Sequence, residues 1–122
     1  MINSFAEFQN KVFEFNENVY EGVWDQEIYY QLESFIISYA IENIDNDMIP
    51  LIIAKSFDIF SSCIYLMFAS TINPTDVYEV IDASEDQVRS YYERFQVVDN
   101  IFWGNYNYND YGEFLRSNPY LQ

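Results

Sequence analysis

Ile49 to Ile72 constrains this chain more than any other stretch, because it holds one Lys, Lys55, and one Asp, Asp58, among residues that are otherwise apolar or small. From Ile59 to Ile72 there is no charge. The large side chains Ile59, Phe60, Ile64, Tyr65, Leu66, Met67 and Phe68 point in every direction around a helix. A helix apolar on all sides is buried on all sides, so this stretch is expected to be the buried central helix of a soluble domain. Its uncharged run, residues 59 to 72, is shorter than the roughly 20 residues needed to cross a bilayer. Ser56, Ser61 and Ser62 leave open whether it is one rod or two pieces.

A chain of 122 residues around such a helix fits one domain, with enough core to need neither metal nor disulfide. Half the residues are hydrophobic and a fifth aromatic, 12 Tyr and 11 Phe among them, a composition that excludes disorder. Cys63 is the single cysteine and lies in the most apolar segment, so it is expected to be an inert core thiol. Met1 to Ser4 carries neither a basic region nor an apolar run, the pattern expected of a cytoplasmic protein without a leader.

Charge is the second constraint. Twenty Asp and Glu oppose five Lys and Arg, a formal net charge of −15 spread along the whole chain. Such a field repels nucleic-acid phosphate and anionic membrane and speeds encounter with basic partners. Asn, Ile, Tyr and Phe, whose codons are A/T-rich, are abundant, yet Lys, with A-rich codons, occurs only at Lys11 and Lys55. The exclusion of lysine points to a functional acidic surface rather than to solubility alone.

Helical punctuation is frequent. Ser4-Phe5-Ala6-Glu7 is a capping box, and Phe5, Phe8, Val12, Phe15 and Val19 follow at spacings that place them on one stripe, with Gly22 as the stop. Glu7, Glu14, Glu17 and Glu21 fall on the opposite side as an acidic ridge. Asp25 caps a second helix through about Asn43, with Ile28, Leu32, Phe35 and Tyr39 inward. Tyr30, Ile37 and Ile41 make that helix apolar on its back as well, either sandwiched between layers or exposed as a contact patch. Asn43 to Asp47 reads as a turn, with Asp47 a cap and Pro50 in the first turn of the central helix. Asn73-Pro74 predicts a short helix through about Asp82, and Ser84-Glu85-Asp86-Gln87 a second capping box opening a helix to about Val98. Glu113 to Arg116 predicts a last short helix before Asn118-Pro119. The fold class expected is all-α: an irregular single-domain bundle of five to seven helices around the central one.

Catalytic equipment is missing from the sequence. Without histidine there is no Ser-His or Cys-His nucleophile pair and no Glu-x-x-His di-iron site. Asp45 and Asp47 lack the Gly and closing Glu of a calcium loop, and three Gly are too few for a phosphate-binding loop of the usual kind. No catalytic residue, cofactor or metal is therefore expected. Thr75 to Phe95 resembles a bacterial helix-turn-helix, but Glu85 and Asp86 would open its recognition helix facing phosphates, so a plain helix pair is expected there instead.

Binding candidates lie where acids and rings coincide. Tyr106, Tyr108, Asp110 and Tyr111 sit in a Tyr and Asn run without helical periodicity, the composition of adaptable binding loops. The ridge of Glu14, Glu17 and Glu21 leads to Trp24 and Asp25 as the second candidate. A small, acidic, all-helical chain with these features resembles the immunity proteins that bacteria pair with nuclease toxins of contact-dependent inhibition systems. The resemblance is one of type, carried by no motif. It implies a cytoplasmic monomer that binds and blocks a basic toxin domain, and binds neither nucleic acid nor membrane. A phage-type nucleic-acid mimic would use the same physics, and a helical module dimerising through Tyr30, Ile37 and Ile41 is the rival class.

Overall fold

A computed structural model describes residues 1–121. Among them lie four α-helices: α1 Phe5–Tyr20, α2 Gln26–Glu42, α3 Leu51–Ile72 and α4 Glu85–Phe102. A single 3₁₀ turn, Tyr108–Asp110, follows, and no strand is present among the described residues. The all-α class holds, with four helices in place of the five to seven expected.

Local chemistry accounts for the helix starts. Ser4 Oγ accepts from the Glu7 amide, while Glu7 reaches back to the amide of Asn3 rather than of Ser4. Asp25 accepts from the Ile28 amide, and Ser84 and Gln87 form a complete reciprocal box. Pro50 stands at the N-cap of α3 instead of within its first turn, with no side-chain bond, so Asp47 is not the cap expected. The serines do not break α3, which runs as one rod.

Packing joins α1 to α2 and α3, and α4 to the same two helices. Gln9 meets Ser56 and Phe15 meets Phe60, so α1 and α3 run parallel. Glu33 meets Arg94 and Tyr39 meets Phe102, so α2 and α4 also run parallel. At the centre Phe15, Tyr29, Phe60 and Phe95, one ring from each helix, sit in a chain, with Phe60 5.4 Å from Phe15, 6.1 Å from Tyr29 and 5.2 Å from Phe95 between centroids. The expected α1 stripe is core, with Phe8, Val12, Phe15 and Val19 buried and Phe5 packed against them.

α3 departs from the expectation of a helix buried all round. Phe57, Phe60, Cys63, Ile64 and Met67 face inward, while Leu51, Ile52, Ile59, Tyr65 and Leu66 are exposed. A uniformly apolar helix carries no phase in its sequence, so its partners decide which side is covered, and four helices leave every one of them an outer face. By length and composition α3 would also suffice to cross a bilayer; here α1 and α4 of the same domain cover its inner side.

The helix expected from Asn73 to Asp82 does not form. Asn73 Oδ1 accepts from the amide of Thr75 and Asp76 Oδ1 from that of Tyr78, short side-chain turns that compete with helical bonding. Asp82 is left-handed, with φ 60°. The segment instead docks on the α1–α2 turn: the Ile81 amide donates to Gly22 O at 2.6 Å, the Tyr78 hydroxyl to Val19 O, and Val80 is buried. With its first helix absent, Thr75 to Phe95 is not a helix-turn-helix.

The last expected helix, Glu113 to Arg116, is a run of turns that lies back over α2 and α4. Leu115 is fully buried, and Asn118 donates to Tyr30 O and to Glu33. This strap and α4 cover the back of α2: Ile37 is fully buried and Tyr30 partly so, and Ile41 alone of that trio is exposed. The second apolar face of α2 is sandwiched, and no contact patch remains there for a dimer.

Candidate protein-binding surface

α1 turns one side to the core and the other outward, and the outward side carries Glu14, Glu17 and Glu21, all exposed. Helical spacing sets Phe13, Glu17 and Tyr20 beside one another on that side, with Glu14 and Glu21 next to them. Phe13 is 65% and Tyr20 87% exposed, rings that pack on nothing while rings elsewhere build the core. Neither ring is among the binding candidates that composition alone brings out. Their signal was available, since they stand seven residues apart and off the stripe of Phe8, Val12, Phe15 and Val19.

Little neutralises the ridge. Lys11 reaches Glu14 at 3.3 Å, and among the described residues Glu17 and Glu21 form no ion pair. Of the twenty acids four are ion-paired among the described residues: Glu14, Glu33, Glu85 and Glu113. The negative field is therefore a property of the folded surface, not only of the composition.

Trp24 and Asp25, expected at the head of this ridge, have other employment. Trp24 stacks on Tyr91 at 4.2 Å and 5° and abuts Phe15 and Tyr29, while its indole N–H donates to Gln26. Asp25 spends its carboxylate on the α2 cap.

The Tyr and Asn run lies past the end of α4, at the end of the bundle away from the α1–α2 turn. Its rings are largely occupied: Tyr106 and Tyr111 stack on each other at 4.9 Å and 12°, and Tyr108 packs against the core. Asn107 folds the turn by accepting from the Asn109 amide, which leaves Asp110 exposed. A shallow groove of about 600 Å³ lies beside it, lined by Val97, Asp110, Tyr111 and Phe114 among others. The two candidate regions are thus separate surfaces at opposite ends of the bundle.

A second groove of about 400 Å³ runs between α3 and α4, lined by Ser62, Tyr65, Leu66, Tyr92, Gln96 and Asp99 among others. Partial burial pushes the Asp99 carboxyl above its ordinary value, against a smaller opposing effect from the Trp103 indole that donates to it at 3.2 Å. Among the described residues no three His, Cys, Asp or Glu lie close enough to hold a metal ion.

Comparison with protein-family models, with curated proteins and with solved structures finds no match. What the fold and surface define is a class: a four-helix acidic domain with two exposed rings set in a carboxylate ridge.

Proposed function

We propose that this protein is a non-catalytic inhibitor of the immunity type, which binds a basic partner, a nuclease toxin domain, through the outer side of α1. The observation that carries the reading is the placement of Phe13 and Tyr20, exposed and unpacked, among Glu14, Glu17 and Glu21 in a chain of net charge −15. Carboxylates steer the encounter and occupy a basic phosphate-binding surface, and desolvated rings set the lifetime of the complex. The loop of Tyr106, Tyr108, Asp110 and Tyr111 is the weaker site, because its rings already stack on each other and on the core. Cytoplasmic action belongs to the same reading, since an intracellular nuclease must be met before it reaches nucleic acid.

The test uses the product of a neighbouring toxin gene as the probe. Its association rate with this protein should fall steeply from low to physiological ionic strength while dissociation changes little. Phe13→Ala or Tyr20→Ala should weaken binding by about 2 kcal/mol or more without lowering the melting temperature. Salt-independent association together with wild-type affinity in both variants would remove the ridge as the binding site.

A further inference from the structure

A row of apolar side chains lies bare along the outer side of α3, where Leu51, Ile52, Ile59, Tyr65 and Leu66 are exposed and Met48, just ahead of the helix, is 83% exposed. The charges on this strip are Lys55 and Asp58, one turn apart and both exposed. Lys11, Arg89, Arg94 and Arg116 each pair with an acid of this chain. Lys55, in a protein with twenty acids, forms no ion pair among the described residues, and neither does Asp58. Lys55 and Asp58 are thus both free to pair with a charge from outside the chain.

A second copy turned end for end about the level of residues 56 and 57 meets the strip with its two charges matched. Reversing the chain there sets Lys55 opposite Asp58, Leu51 opposite Ser62, Ile59 opposite Ala54, and Met48 opposite Tyr65. We infer that a second copy of this chain packs its α3 antiparallel on the first about a two-fold axis at that level. In such an isologous interface each Lys55 meets the partner copy's acid at 58, and the two ion pairs form together. Each copy's Met48 then arrives at the groove lined by Ser62, Tyr65, Leu66 and Tyr92, whose volume of about 400 Å³ suits an unbranched, adaptable side chain. A helix of 22 residues is about 33 Å long. Glu14 and Glu21 lie on the side of α1 away from α3, which Gln9 marks by its bond to Ser56, whereas Phe13 and Tyr20 follow Gln9 along the side toward α3, so the dimer leaves the carboxylate edge of the ridge open and competes with a basic partner for the two rings.

This assignment departs from the free monomer expected from sequence, and it makes a prediction about salt opposite to that for a basic partner. Two copies of charge −15 repel at long range, and salt screens that repulsion, so dimerisation should strengthen as ionic strength rises. Light scattering and sedimentation over a concentration series test it on the full chain. Wild type should reach twice the chain mass by about 100 µM. Lys55→Glu should weaken dimerisation roughly tenfold or more by opposing Asp58 with a like charge, and the swap Lys55→Asp with Asp58→Lys should restore it to within about threefold. Circular dichroism confirms that these surface variants fold. A monomer at every concentration, a dimer indifferent to Lys55→Glu, or a swap as weak as the single variant would each overturn the interface. So would a monomer that co-floats with phosphatidylcholine vesicles, since that assigns the strip to a membrane.

Discussion

Glu33 and Arg94 hold the most consequential ion pair in the molecule, and the cost of breaking it can be worked out from its surroundings. The Glu33 side chain is fully buried; it accepts from Arg94 Nε at 2.8 Å, from Arg94 Nη2 at 2.7 Å and from Asn118 Nδ2 at 3.1 Å. Arg94 donates further to Ser117 Oγ at 2.9 Å and to Leu115 O at 3.2 Å and lies over the Tyr30 ring. The pair therefore pins the C-terminal strap to α2 and α4. The same pair faces Tyr29, whose phenol is raised well above its ordinary range by burial first and by the charge of Glu33 second. Arg94→Met keeps most of the stem but strands a buried carboxylate, which should cost about 3–5 kcal/mol. Against a total stability of about 5–15 kcal/mol that is a large share, and it should lower the melting temperature by about 10–20 °C. Removing both charges in Glu33→Leu, Arg94→Met takes away the stranded charge, while the Leu115 carbonyl still accepts from the Asn118 amide and Asn118 Nδ2 still donates to Tyr30 O. The double variant should therefore recover about 2 kcal/mol or more relative to Arg94→Met. Urea denaturation measures the cycle, and hydrogen exchange at residues 115–121 reports whether the strap lifts. A loss below about 1 kcal/mol in Arg94→Met, or a double variant as unstable as the sum of the two singles, would refute the account of a buried pair held for geometry.

Gly22→Ala should destabilise by about 2–4 kcal/mol in urea, because residue 22 is left-handed at φ +82° and a Cβ there would collide with the Glu79 carbonyl oxygen. Phe60→Ala should cost about 3–5 kcal/mol, as the fully buried ring at the centre of the chain of rings is lost. Phe68→Ala, where a half-buried ring stacks on Tyr92, should cost about 1–2 kcal/mol by the same thermal melt. Burial pushes the Cys63 thiol from 9.0 and the Tyr78 phenol from 10.0 each up to about 12. The unfolded chain then loses these protons first, so stability should fall as pH rises from about 9 toward 12. The slope should be at most about 1.4 kcal/mol per pH unit per group, read from urea midpoints. A stability flat across that range would sink the assignment. At pH 8 the folded Cys63 should resist thiol reagents that label it in urea.

What the sequence determined by itself was whatever is local and periodic. The α1 stripe, the Asp25 cap and the Ser84–Gln87 box were legible because a cap needs residues three apart and a stripe needs only its own spacing. Net charge was legible outright, and with it the acidic ridge of Glu14, Glu17 and Glu21. Tertiary structure alone decided everything that depends on a distant partner. The apolar run of α3 had no phase until Phe60 and Ile64 met the other helices, which left Ile59 and Leu66 outside. Asn73 to Asp82 had helical signals, but Asx turns and a dock on Gly22, more than fifty residues away in the chain, won over them. Glu33 carries no local mark of burial, and it is Arg94, 61 residues on, that closes over it. Rings that read alike in sequence separated in the same way: Trp24 stacked on Tyr91 and went inside, while Phe13 and Tyr20 stayed in water because no element of the fold reached the outer side of α1. Local rules settle which residues can form a helix, and only the packing of the whole chain, where burial outweighs each local preference, settles which faces remain for a partner.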